Sequence, residues 1–361
     1  MKTFRTGALR PAADAARPSR MDAANDLVRR TLAQHGLMPG GDGSGAPSLL
    51  SGELMRALGG RAAAAPGAVA SLAIADGAEF RNDTFAGRSG SRAYRTYVPA
   101  SAEGQVTGVV MMLHGCTQTP EDFATGTGMN ALAESGRFVV IYPEQSRGAN
   151  AQTCWNWFSK GDQRRDRGEP EILAGMARKV AAEHGVGREQ TFVSGLSAGA
   201  AMAVILGETY PDVFAAVGAH SGLPYGAAID VPSAFAAMAG TGAGSADAPA
   251  TGSDLRTIIF HGDADRTVHP ANGKGIARWA DARGAEITQQ RDDFLTEGGR
   301  RVQRRVTINA DGITQMEEWT VAGLGHAWSG GKAGGSYTDP AGPDASAEMI
   351  RFFFDATREE V

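Results

Sequence analysis

Two cysteines in 361 residues are too few for a scaffold built on disulfides. No apolar run approaches the ~20 residues that a membrane-spanning helix needs, so a membrane span is not expected. Basic residues are not clustered: 35 Lys and Arg stand against 40 Asp and Glu, a net charge of −5, which argues against nucleic acid as a partner. Cys-x-x-Cys is absent and the histidines lack paired ligand spacing, so no metal is expected. The glycine-rich turn near residue 197 lacks the G-x-G-x-x-G pattern of a dinucleotide site, and no organic cofactor is implied. The first 30 residues hold no apolar stretch of seven or more, so the chain as given is read as having no recognisable secretory signal.

What is present is a chain with 42% hydrophobic residues and 49 glycines, enough for one large core. Residues 1–78 read as an N-terminal extension. Helical spacing falls over 21–36 and 48–58, and an Ala/Gly-rich linker over 59–70. Residues 79–361 read as the main domain. It opens with a hairpin, Glu79–Ala86 and Arg92–Val98, around Gly87-Arg88-Ser89-Gly90. Apolar strands follow at Val106–Leu113, Phe138–Tyr142, Gln190–Ser194, Ala215–Ala219, Thr257–Phe260 and Met316–Val321. Helices alternate with them at Thr125–Ser135, Glu169–His184, Ala198–Thr209, Ala271–Arg283 and Asp344–Thr357. This alternation predicts an α/β fold, a mostly parallel central sheet with helices on both faces. Gly240–Gly252 reads as an insertion.

Gly195-Leu196-Ser197-Ala198-Gly199 sits between an apolar strand and a small-residue helix, the context in which a serine is held on a sharp strand-to-helix turn. Ser197 is the candidate nucleophile. It needs a base and an orienting acid. His35 and His184 read as surface residues, and His114, His220 and His261 as strand-end histidines that support loops. His269 lies too close to Asp265 in sequence. His326, flanked by Gly325 and a short loop, is the candidate base. Asp265 is preferred over Asp263 as the acid, because Gly262-x-x-Asp265-x-x-Val268 carries it past the turn while Asp263 caps that turn. The order Ser, Asp, His is that of α/β-hydrolases. The strand ending at Leu113 runs into His114-Gly115-Cys116, so the amides of Cys116 and Ala198 are the expected oxyanion donors.

Longer blocks carry a resemblance. His114-Gly115-Cys116-Thr117-Gln118, Tyr142-Pro143-Glu144-Gln145, Cys154-Trp155-Asn156-Trp157-Phe158, His220-Ser221-Gly222-Leu223-Pro224-Tyr225 and Gly323-Leu324-Gly325-His326-Ala327-Trp328-Ser329 look like the polyhydroxybutyrate depolymerase family of esterases. The resemblance implies an α/β-hydrolase fold and hydrolysis of polyhydroxyalkanoate esters or their oligomers, with Ser197, Asp265 and His326 as triad. It also implies a Cys116–Cys154 disulfide and, by the family's habit, an extracellular location. Feruloyl and acetylxylan esterases share these motifs and supply the alternative reading, with a general carboxylesterase behind them. Trp328, Trp155, Gln118 and Ser329 are read as substrate contacts, with Trp157 as a core residue.

Overall fold

Val109–Leu113 (β3) and Val139–Pro143 (β4) are apolar at every position and buried at every position, as strands covered on both faces must be. The computed structural model describes residues 72–102, 104–241, 254–283 and 287–355. Within these residues β3 and β4 join Thr191–Leu196 (β5), Ala216–His220 (β6), Arg256–Gly262 (β7) and Thr314–Val321 (β10) in a parallel block, ordered β4-β3-β5-β6-β7-β10. Antiparallel strands extend both sides. Glu79–Gly87 (β1) and Gly90–Val98 (β2) are added next to β4, and Arg300–Asn309 (β9) and Ile287–Glu297 (β8) next to β10.

Side chains of neighbouring strand residues point to opposite faces. Val110, Met112, Phe192, Ile258 and Phe260 share one core cluster with Met349, Phe352 and Phe353 of the C-terminal helix α7 (Ala345–Phe354). Each such side chain stabilises the fold by about 1.5–3 kcal/mol relative to an exposed one. Val217 faces the other way. Its Cγ2 lies 2.5 Å from where a Cβ on Gly207 would stand, so glycine is what lets helix α4 (Ala198–Thr209) lie close on that face. Helix α3 (Gly168–Glu183) covers the same face beside α4. This is the α/β-hydrolase arrangement.

The chain runs from β3 to β4 on one side and then to β5 on the other. Such a reversal leaves a crevice at the strands' C-terminal ends. The segments that begin at His114 and at Ser197 both open into it.

Three expectations are corrected. The helix expected over Thr125–Ser135 is two, α1 (Pro120–Thr127) and α2 (Met129–Gly136), broken where Gly128 takes φ 64°. The strands read from sequence lack β8 and include of β9 only a strand-like stretch at Arg301–Arg305; the β8–β9 hairpin turns at Gly298-Gly299, both at positive φ. The helix that the sequence suggests over Ser233–Met238, just before the 240–252 insertion, starts two residues earlier as α5 (Val231–Met238), capped by Asp230. Helix α6 (Ala271–Arg283) has the expected bounds. Leu72 and Ala78 pack against the main core cluster. The expected helices at 21–36 and 48–58, the linker at 59–70 and most of the 240–252 insertion lie outside the described residues.

Candidate active site

Ser197 stands between β5 and α4 with φ 57° and ψ −119°, a conformation that costs a non-glycine residue about 1–3 kcal/mol. Its amide is anchored, donating to His220 O at 2.9 Å. The flanking glycines answer a different need from the backbone freedom that the motif suggested. Neither has positive φ. A Cβ on Gly199 would lie 2.1 Å from Leu113 O, and one on Gly195 2.5 Å from the Gly199 carbonyl carbon. They make room for β3, β5 and α4 to meet, and Ser197 itself takes the strain. Its Oγ makes no hydrogen bond among the described residues.

The loop after β3 is fixed on every side except one. Gln145 N donates to His114 Nε2 (3.2 Å), so the proton sits on Nδ1, which donates to Gly115 O (2.8 Å). Gly115 N donates to Gln118 Oε1 at 2.9 Å, and Trp155 Nε1 donates to His114 O at 3.1 Å. A trans peptide points its N–H away from its C=O. Holding Gly115 O therefore aims the Cys116 N–H in the opposite direction, where it meets no acceptor among the described residues. The same holds for Ala198 N at the start of α4. Cys116 is bonded to Cys154 in a disulfide, which ties this loop to the Cys154–Phe158 segment. A Cβ built on Gly115 would stand 3.7 Å from Ser197 Cβ, so the loop and the serine are neighbours.

Asp265 and His326 form the other half. Asp265 Oδ2 accepts from His326 Nδ1 at 2.7 Å, while Oδ1 accepts from Thr267 N (2.8 Å) and Val268 N (2.9 Å). Burial pushes this carboxyl up, but the His326 hydrogen bond, the neighbouring imidazole charge and the Val268 amide outweigh it and hold Asp265 below the ordinary carboxylate value. Asp263 does not cap its own turn, as the sequence suggested. Its Oδ1 accepts from Gly323 N at 2.6 Å, and Ala264 N donates to Leu324 O, so it staples the two loops together.

The expected substrate contacts are corrected. Trp328 is 1% exposed, packs edge-on against Phe123 and donates from Nε1 to Ser346 Oγ at 3.0 Å. Trp155 is fully buried beneath His114. Ser329 is fully buried with its Oγ on Pro343 O, and Gln118 braces Gly115 and Ser336 O. All four are framework, because burial and satisfied polar tips leave no surface for a ligand. Trp157 is buried as well, and Phe158 beside it is half-buried.

Two residues that support the site have long-range partners. The Glu169 carboxylate, buried at the start of α3, accepts from Asn156 N at 2.7 Å and pairs with Arg92 at 3.2 Å, holding the Cys154–Phe158 segment from behind. Gln145 links His114 to this group through Cys154 O. The Tyr142-Pro143-Glu144-Gln145 block was the sequence signal for Gln145. Nothing local marks Glu169.

Burial lowers His114 to about 4 and His220 to about 3. Both lie below the 6.5 of an unfolded histidine. Between these values the unfolded chain binds protons that the native one refuses, so stability is fully present above 6.5 and is lost as pH falls towards each folded value. Urea unfolding from pH 6.5 downward is expected to show a loss of about 1.4 kcal/mol per pH unit for each histidine. A flat profile down to pH 4.5 would contradict neutral burial of these rings.

The serine and the acid lie within a stretch, residues 92–280, that matches the family described as Esterase PHB depolymerase, and the stretch is more than half of the chain. The chain belongs to this esterase family. His326 lies beyond the matched stretch. Among the relatives of this PHB depolymerase-family chain, poly(3-hydroxyalkanoate) depolymerase C of Paucimonas lemoignei is 35% identical over 232 residues, 60% of this chain and 54% of that protein. Probable acetylxylan esterase A of Aspergillus flavus is 30% identical over 201 residues, 51% of this chain and 64% of that protein. The chain thus spans about half to under two thirds of the length of these relatives. Among solved structures, the acetyl xylan esterase from Aspergillus awamori matches with a TM-score of 0.54 at 20% identity, covering 73% of this chain and 93% of that one, a likeness of fold.

Proposed function

We propose that the protein is a serine esterase that hydrolyses ester bonds of poly(3-hydroxybutyrate) or related polyhydroxyalkanoates and their oligomers. The observation that carries the reading is the 2.7 Å bond from His326 Nδ1 to Asp265 Oδ2, with the other carboxylate oxygen held by two amides. In the neutral ring that bond puts the proton on Nδ1 and makes Nε2 the acceptor that the mechanism assigns to Ser197.

In this mechanism Ser197 Oγ attacks the ester carbonyl as His326 Nε2 takes its proton. The carbonyl oxygen becomes an oxyanion that accepts from the Cys116 and Ala198 amides, each such donor contributing about 10²–10³ in turnover. The imidazolium then protonates the departing alkoxide, leaving the acyl group on Ser197. Water, deprotonated by His326, attacks the acyl carbonyl, and collapse releases the hydroxy acid and returns the proton to Ser197. Asp265 stays ionised throughout and holds the imidazole in one tautomer.

The polyester reading is supported by the match to the family described as Esterase PHB depolymerase and by the 35% identity to the polyhydroxyalkanoate depolymerase of Paucimonas lemoignei. The test is incubation with amorphous polyhydroxybutyrate, hydroxybutyrate oligomers, acetylated xylan and methyl ferulate side by side, with chromatography of the acids released. Hydroxybutyrate or its dimer is expected as the leading product. Acetate from xylan or ferulate in clear excess would replace this substrate class by the carbohydrate-ester one.

A further inference from the structure

His220, the last residue of β6, is fully buried and touches both halves of the proposed site at once. Its carbonyl accepts from Ser197 N at 2.9 Å. Its ring reaches the other loop: Nε2 accepts from Ser329 N at 3.0 Å, three residues past His326. The ring is sandwiched between Phe260 (centroids 5.8 Å apart, planes at 13°) and Trp328 (5.0 Å, 24°). Nδ1 lies 3.2 Å from Ser221 Oγ. Because Nε2 must accept, the proton belongs on Nδ1, and Ser221 Oγ is its acceptor.

A histidine with both ring nitrogens and its carbonyl used in this way does more than fill space. Any hydrophobe of similar size would stack between Phe260 and Trp328. An acceptor aimed at a backbone amide of the His326 loop is what an aromatic substitute lacks. The loop's other backbone ties run from Gly323 N to Asp263, Leu324 O to Ala264 N, Trp328 N to Tyr337 O, Gly331 N to Asp339 O and Lys332 N to Gly126 O, and none of these partners also bonds Ser197.

We infer that His220 is a positioning residue, a neutral imidazole strut that sets the spacing of Ser197 and His326 through one side chain, by its carbonyl on the first and its ring on the loop of the second. The inference rests on the Ser197–His326–Asp265 reading. The strut works only while the ring is neutral, because an imidazolium has no acceptor. Burial among apolar rings keeps it so.

The test uses His220→Phe, which keeps the stacking and loses the acceptor, His220→Gln, whose Oε1 can accept from Ser329 N, and Ser221→Ala, which frees the ring to take the wrong tautomer. Each is assayed for kcat and KM on p-nitrophenyl butyrate, for thermal midpoint, and for the rate of phosphonylation by diethyl p-nitrophenyl phosphate, the labelled residue being found by peptide mass. For His220→Phe, kcat per folded molecule and the phosphonylation rate are expected to fall about 10²-fold with KM within twofold, the scale of a displacement near 1 Å between reacting groups. His220→Gln is expected to recover most of that loss. Ser221→Ala, which leaves the packing intact, is expected to lose about tenfold, the worth of one buried hydrogen bond.

Unchanged kcat and phosphonylation rates in folded His220→Phe and in Ser221→Ala would overturn the strut and leave the triad standing. If His220→Phe does not fold, Ser221→Ala decides alone. Labelling of the wild type at a residue other than Ser197 would overturn the triad reading and the strut with it.

Discussion

Ser197→Ala is expected to lower kcat on p-nitrophenyl butyrate by about 10⁶-fold, the scale found when a hydrolase loses its serine, while the melting temperature stays near that of the wild type. The two halves of this expectation have separate grounds. Alanine keeps the Cβ and the same cost of positive φ, and the Oγ it removes makes no hydrogen bond among the described residues, so little native-state energy is at stake. The amide that donates to His220 O is also untouched. The chemistry has no substitute for the oxygen, since the residual rate would come from the Cys116 and Ala198 amides alone and lie about 10³–10⁴ above that in water. Steady-state assay and a thermal melt on the same preparation check both. Turnover within tenfold of the wild type would remove Ser197 from the mechanism.

Asp265→Asn is expected to cost about 10⁴ in kcat, and Asp263→Asn less than tenfold. The asymmetry follows from which atoms are committed. Asp265 Oδ1 accepts from two amides, Thr267 N and Val268 N, so an asparagine would keep its carbonyl oxygen there and turn its amide nitrogen towards His326. His326 Nδ1 would then have to accept, the proton would move to Nε2, and the ring could no longer take a proton from Ser197. Among the described residues the Asp263 carboxylate accepts only from Gly323 N, and an asparagine oxygen can still do so. Measurement of kcat for both variants on a soluble ester decides. A larger loss for Asp263→Asn would mean that the wrong carboxylate has been assigned.

The candidates for the triad could be proposed from sequence on different grounds: Ser197 and Asp265 each sit just beyond an apolar strand on a glycine-punctuated loop, and His326 lies in a block, Gly323 to Ser329, that holds a tryptophan. The parallel block could be read because strands buried on both faces are apolar along their length, as β3 and β4 are. The β8 edge strand is exposed along most of its length, so no face imposes a period of two on Thr288 to Asp292. The walls of the site were misread for a different reason. A tryptophan in a loop looks the same from sequence whether it lines a cleft or plugs a core, and the partners that settle the matter are remote: Ser346 for Trp328 and His114 for Trp155. The bland reading of the strand-end histidines as supports for loops describes what His114 and His220 do, but which amide each one meets depends on strand order, which the local sequence does not record.

The crowding around Gly195 and Gly199 has a consequence for how this chain could diversify. With Leu113 O and the Gly199 carbonyl occupying the space of any added carbon, the turn beneath the serine admits no graded adjustment by substitution. Adaptation to a new acyl group must therefore act away from this turn. Reaction type and acyl preference are inherited separately in such an architecture: sterics at the turn lock the first, and the second is left to residues elsewhere.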